Sequence, residues 1–283
     1  MIWGYALVWP HRWFEGVSDP FLAKLRKLDE YGLKTMHARA AELEAMERED
    51  PRRLDRILDF LCGRGLCLTL DLHADLYQDD DDAIRADIDR QLGLLMKWAP
   101  RVGSPIVHTG GGPYHRFTRA PCLEEQMERL HRFLGPAAEI CWEIGSPLCI
   151  ENHGDYYASD LVELCRATRF LHIFLDTGNT YLIGEKPLNA FEEAAPFVLG
   201  GHFKDHLVGP VTETGLHFGL SGAVIGEGDV PLEACLQILA CKSPYPERLA
   251  MLIELIPPSF KGDDPIDAFE KSVSFALNLR CPT

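Results

Sequence analysis

A chain of 283 residues, 46% hydrophobic and 25% charged, has the composition of an ordinary globular protein long enough to bury a full core. Its 28 basic and 43 acidic side chains leave a net charge of −15. That surface repels phosphate backbones, and no local basic patch offsets it, so no nucleic-acid partner is expected.

No apolar run approaches the roughly 20 residues that span a bilayer, so no membrane partner is expected either. Met1-Ile2-Trp3-Gly4-Tyr5 lacks the basic region and cleavage site of a secretory leader, and the nine cysteines include no Cys-x-x-Cys pair. Free thiols in a reducing cytoplasm are the expectation.

In chain order, short apolar runs at 2–8, 33–37, 66–72, 104–108, 147–151, 171–175, 198–203 and 249–254 predict eight strands. Amphipathic segments separate them, such as Phe21/Leu25/Leu28, Leu54/Ile57/Leu61 and Ile84/Ile88/Leu92/Leu95, and Phe269/Val273/Leu277 closes the chain. The aspartates 79–82 read as negative charge at the start of the Ile84 helix rather than as a calcium loop. The stretch 202–230 has no periodicity and carries Gly209, Gly215, Gly219, Gly222, Gly226 and Gly228. It reads as a loop over the barrel mouth, a lid or substrate loop. Eight β-α units without a separating linker predict an α/β protein whose residues 1–283 form one (β/α)8 TIM barrel.

In such a barrel, groups at the C-terminal strand ends converge on one mouth. Strand five ends Ile150-Glu151-Asn152-His153-Gly154-Asp155 and strand six Leu175-Asp176-Thr177-Gly178-Asn179. Strand seven reads His202-Phe203-Lys204-Asp205-His206 and strand eight Ile253-Glu254-Leu255. Each carboxylate or imidazole follows an apolar run and would be stranded unless paired. Four on adjacent strand ends favour a shared cation; ion pairing with Lys204 is the simpler alternative. Three carboxylates and one histidine suit Mn²⁺, Mg²⁺, Co²⁺ or Zn²⁺, and the absence of thiolates argues against a structural zinc.

These motifs, with Gly226-Glu227-Gly228-Asp229-Val230 before Glu254, resemble the xylose isomerase-like TIM-barrel superfamily, and within it the sugar phosphate isomerase/epimerase group. The resemblance covers mainly residues 147–255. It implies that Glu151, Asp176, His202 and Glu254 bind one divalent metal and that Glu151 and Glu254 form an acid/base pair. It also implies a small-molecule sugar or polyol-like substrate, isomerised or epimerised by proton transfer through an enediolate. A lyase or dehydratase on the same scaffold (3-dehydroshikimate dehydratase-like or keto-glycoside-cleaving) shares the first step. A non-catalytic binding barrel has no need of a complete ligand set. An apurinic endonuclease would need a histidine where Asn179 stands.

Further candidates for substrate contact are His73, His108, His153, Asn179, Lys204 and Glu227, each with a structural alternative. His73 and His108 end strands three and four, where they could also hold a second metal. Gly110-Gly111-Gly112 after His108 lets a ligand approach the backbone. Lys204 reads equally as an ion-pair partner, and Glu227 as part of a turn. Tyr5, Trp9, His11 and Trp13 suggest an aromatic wall or rim packing, and His37 and Arg39 follow strand two. Self-association into a homo-oligomer is left open.

Overall fold

The structure, a computed structural model, describes residues 1–6, 9–211, 218–256 and 264–279. Its strands are β1 (Ile2–Ala6), β2 (Thr35–Arg39), β3 (Cys67–Asp71), β4 (Val107–Thr109), β5 (Leu148–Glu151), β6 (His172–Phe174), β7 (Val198–Phe203), β8 (Asp205–Pro210), β9 (Phe218–Ala223) and β10 (Ala250–Glu254). Eight of them close a parallel barrel in the order β1-β10-β7-β6-β5-β4-β3-β2. Ile2 to Ala6 pair with Ala250 to Glu254, so the first and last strands seal it. All eight predicted strands are present, and the fold is the predicted (β/α)8 barrel.

Two local departures have physical causes. Strand four was expected from residue 104, but pairing starts at Val107. The Ser104 hydroxyl takes over part of the ladder there, donating to Ile106 O (2.7 Å) and accepting from Leu70 N–H (3.2 Å). Strand two lies two residues later than expected, which brings Arg39 into the strand with His37. Residues 7 and 8 of the predicted first strand lie outside the described residues.

The larger correction concerns 202–230. Instead of an irregular loop, β8 and β9 form an antiparallel ribbon in which Asp205 pairs with Ala223 and Pro210 with Phe218. Gly209, Gly219 and Gly222 interrupt the alternation that would have announced it. Residues 212–217 lie outside the described residues.

Ala6, Ile106, Cys149, Phe174, Leu199, Ala250 and Leu252 fill the barrel interior. A second core lies between strands and helices, with Leu25, Leu28, Leu54, Ile57, Leu92 and Leu95 buried on the predicted helix faces. Asp80 caps helix Asp81–Val102, accepting from the N–H groups of Asp82 and Ala83 at 2.9 and 3.1 Å, as the aspartate run suggested. At Gly201 a Cβ would lie 2.0 Å from Leu175 O. Glycine therefore lets β6 and β7 approach closely just below Asp176 and His202. Among the described residues no helix is long and apolar enough to cross a membrane.

Candidate functional site

Glu254, His202, Asp176 and Glu151 sit at the C-terminal ends of β10, β7, β6 and β5, four consecutive staves of the barrel wall. The imidazole of His202 is their meeting point. Its Nδ1 lies 3.0 Å from Glu151 Oε1, 3.4 Å from Glu254 Oε2 and 3.5 Å from Asp176 Oδ2. All four side chains are buried. One ligand atom each from Glu151, Asp176 and His202 falls within 4.8 Å of the others, a grouping able to hold a metal ion.

Local folding presets these groups. Asp176 N–H donates to Asn152 Oδ1 (2.6 Å), and Asn152 Nδ2 donates back to Asp176 O (3.2 Å). Asp176 Oδ1 accepts from the N–H groups of Gly178 (2.7 Å) and Asn179 (3.0 Å), which leaves Oδ2 toward His202 and Lys204. Glu151 Oε1 receives Asn179 Nδ2 at 3.3 Å, and its Oε2 lies 2.9 Å from His108 Nε2.

Lys204 supplies buried positive charge. Its Nζ stands 2.7 Å from Asp176 Oδ2 and 2.5 Å from Glu254 Oε2, and donates to Asn179 Oδ1 at 3.2 Å. The ion-pair alternative is thus realised for Asp176 and Glu254. Yet neither of these carboxylate oxygens accepts an aligned hydrogen bond, although both are shut off from solvent. Oxygens with unused lone pairs, turned toward an imidazole nitrogen, suit a cation. The charges agree: three carboxylates against Lys204 leave −2, which a divalent ion beside a neutral His202 cancels.

Electrostatics without the ion points the same way. Burial opposes charge on His202, but Glu151 and Glu254 outweigh it and push its pKa up to about 10. Burial likewise opposes ionised Glu151 and Asp176. His202 and His108 nonetheless hold Glu151 well below the carboxylate range, and Lys204 and His202 lower Asp176. For Lys204 burial is overcome by Asp176 and Glu254, which raise it above the usual lysine value. The site is built around a positive charge.

A second group adjoins it. His37 Nδ1 lies 2.8 Å from Asp71 Oδ1, and His108 Nδ1 lies 3.2 Å from the same oxygen. Phe174, buried at the barrel axis, sets its ring edgewise to His202 (centroids 4.7 Å apart) and His108 (4.8 Å). Above these groups opens a cavity of about 670 Å³. Glu151, His202 and Glu254 face it, with His37, Asp71 and His108 beside them and Tyr5 and Trp9 also in its lining.

The other expected residues divide. His73, half exposed, and His153 line the cavity with His108 and the three glycines 110–112. Asn179 and Lys204 do not line it; they are buried behind Asp176 and Glu254, so the structure gives them a supporting place rather than a substrate contact. Glu227 is exposed and lies 3.7 Å from Lys271, away from the mouth. None of the described residues between 205 and 230 lines the cavity, so the lid reading of that stretch finds no support among them. Trp13 packs on Tyr31 and Phe269, and His11 is exposed beside Glu15. Asp71 and Asp155, both lining the cavity, were not among the candidates. The position of Asp71 at the end of β3 was the signal available for it.

Residues 25–276 match the family described as xylose isomerase-like TIM barrel. The uncharacterized protein YihM of Escherichia coli (strain K12) is 25% identical over 190 residues, which is 66% of this chain and 53% of that protein. The chain thus matches only about half the length of that relative. D-psicose 3-epimerase from Clostridium cellulolyticum H10, solved with D-tagatose, superposes with a TM-score of 0.70 at 15% identity, covering 99% of this chain and 100% of that one. The probable 3-DHS dehydratase AsbF from Bacillus anthracis superposes with a TM-score of 0.68 at 15% identity over 99% and 100% of the two chains. At such identities the structures share the fold, while the family match spans nearly the whole barrel. The chain belongs to the xylose isomerase-like TIM barrel family.

Proposed function

We propose that the protein is a divalent-metal-dependent isomerase or epimerase of keto-sugars that works by proton transfer through an enediolate. The observation that supports this is the buried quartet of Glu151, Asp176, His202 and Glu254, of which Glu151, His202 and Glu254 face a cavity of about 670 Å³. That volume lies within the usual range for small-molecule sites. One divalent ion held by the quartet (Mn²⁺, Mg²⁺, Co²⁺ or Zn²⁺ by donor chemistry) would polarise the substrate carbonyl and ease loss of the neighbouring proton.

The protein groups then share the remaining work. Glu254 faces the cavity from β10 and takes the carbon-bound proton. Glu151 faces it from β5, three staves away, so the two carboxylates address a bound sugar from different sides. His108, against Glu151 Oε2, keeps that carboxylate anionic and oriented. Tyr5 and Trp9 offer apolar ring surface in the cavity lining, and the bare backbone of Gly110 to Gly112 admits hydroxyl groups. Asp176 and Lys204, out of the cavity, hold the charge balance.

The test is exchange. Protein loaded with Mn²⁺ and incubated with ketoses in D₂O should place deuterium on the carbon beside the carbonyl and return intact sugar. Loss of water or of a glycosidic leaving group would instead make it a lyase. A second measurement probes the ion itself. Below pH 10 the metal-free His202 carries a proton that an ion on Nδ1 must displace. Metal uptake at pH 8 should therefore release about one proton per site, and affinity should climb with pH up to about 10. Calorimetry in two buffers of different ionisation enthalpy reads this directly; uptake without proton release would contradict it.

A further inference from the structure

The imidazole of His202 has two nitrogens, and the carboxylates claim one. Nδ1 faces Glu151, Asp176 and Glu254; Nε2 lies 3.1 Å from Nε2 of His37. Two ring nitrogens at that distance must share one proton, one donating and the other accepting. With a cation on Nδ1, the proton of neutral His202 is on Nε2, so His37 Nε2 accepts it. The His37 proton is then on Nδ1, and Asp71 Oδ1 stands 2.8 Å away to receive it. Each assignment forces the next.

The geometry points to Asp71 and His37 as positioning residues that hold His202 in the tautomer that ligates through Nδ1. The inference rests on the metal-site reading above and extends it to residues whose contacts with the quartet run through His202 and His108. A second feature supports it independently. Asp71 Oδ1 is also 3.2 Å from His108 Nδ1, whose Nε2 meets Glu151 Oε2 at 2.9 Å. One carboxylate at the end of β3 thus orients two ligands, His202 through His37 on β2 and Glu151 through His108 on β4. Phe174 closes the arrangement from below, its ring edgewise to His37 at 6.0 Å and nearer to the other two imidazoles.

One ligand atom each from His37, Asp71 and His108 lies within 4.8 Å of the others, and the group could be read as a second metal site, with His37 offering the Nδ1 that faces Asp71. The 3.1 Å contact argues against that reading. An ion on His37 Nδ1 would move the His37 proton to Nε2, where the Nε2 proton of a metal-bound His202 already sits. Two N–H groups cannot face each other at that distance. One ion and a hydrogen-bonded chain satisfy every nitrogen.

The experiment is a Co²⁺ titration of chelator-treated protein, followed by calorimetry and by visible absorption, for the wild type, His37→Leu and His37→Gln. The wild type should bind one Co²⁺ per chain. His37→Leu removes the acceptor and should weaken binding about 10- to 100-fold, with an altered Co²⁺ spectrum as the His202 ring is released. His37→Gln keeps a carbonyl acceptor and should restore most of both. If His37→Leu fails to fold, Asp71→Asn should shift affinity and spectrum in the same direction. Unchanged affinity and spectrum in the folded variant would overturn the inference, as would two ions per wild-type chain. A wild type that binds no Co²⁺ would instead remove the metal centre itself, which distinguishes the two failures.

Discussion

Glu254→Gln should keep the barrel but lower solvent exchange into the substrate about 10³-fold, within the range expected when a general base is lost. The amide matches the carboxylate in shape, so β10 and its pairing with β1 up to Ala6 and Glu254 should persist. It cannot accept the carbon-bound proton. Because Glu254 also faces His202 and Lys204, metal affinity should fall as well, and exchange must be measured at saturating Mn²⁺. Circular dichroism verifies folding and isotope exchange followed by mass spectrometry reads the chemistry. Exchange within tenfold of wild type under those conditions would take the base role away from Glu254.

Lys204→Met should be the most destabilising single change in the site. Methionine fills the same space without the ammonium, and leaves Asp176 Oδ2 and Glu254 Oε2 buried with no compensating lysine. Removing one partner of a buried ion pair costs about 3–5 kcal/mol. Urea unfolding of the chelated protein should show a loss of that size. Divalent metal should recover more stability in the variant than in the wild type, because the emptier charge balance draws the cation more strongly. A loss below about 1 kcal/mol would mean that the carboxylates do not depend on Lys204.

The architecture was legible because burial repeats along the chain. Eight apolar runs had to be strands buried on both faces, and the leucine and isoleucine spacing between them set the helices. The grouping of four polar side chains at the strand ends was legible for a related reason: Glu151, Asp176, His202 and Glu254 each end an apolar run that offers them no partner. What escaped depends on contacts far apart in sequence. The ribbon of β8 and β9 is tied down by Asp205, which accepts from the N–H groups of Gly226, Gly228 and Val230 more than twenty residues away.

The sequence leaves Lys204 open between substrate contact and ion pairing, because alternation gives the side of a strand but not the depth beneath the mouth. The contact of His37 with Asp71 joins two strands across 34 residues of sequence, and no local pattern announces it. His37 on β2 also meets His202 on β7 across β1 and β10, a relation that barrel closure alone creates.

The central claim is a single divalent ion among Glu151, Asp176, His202 and Glu254. Anomalous diffraction from crystals grown with Mn²⁺ tests it most directly. One strong peak is expected, bounded by His202 Nδ1 and the three carboxylates, with none between His37, Asp71 and His108. No peak beside His202 Nδ1, with Lys204 still bridging Asp176 and Glu254 at saturating Mn²⁺, would contradict it.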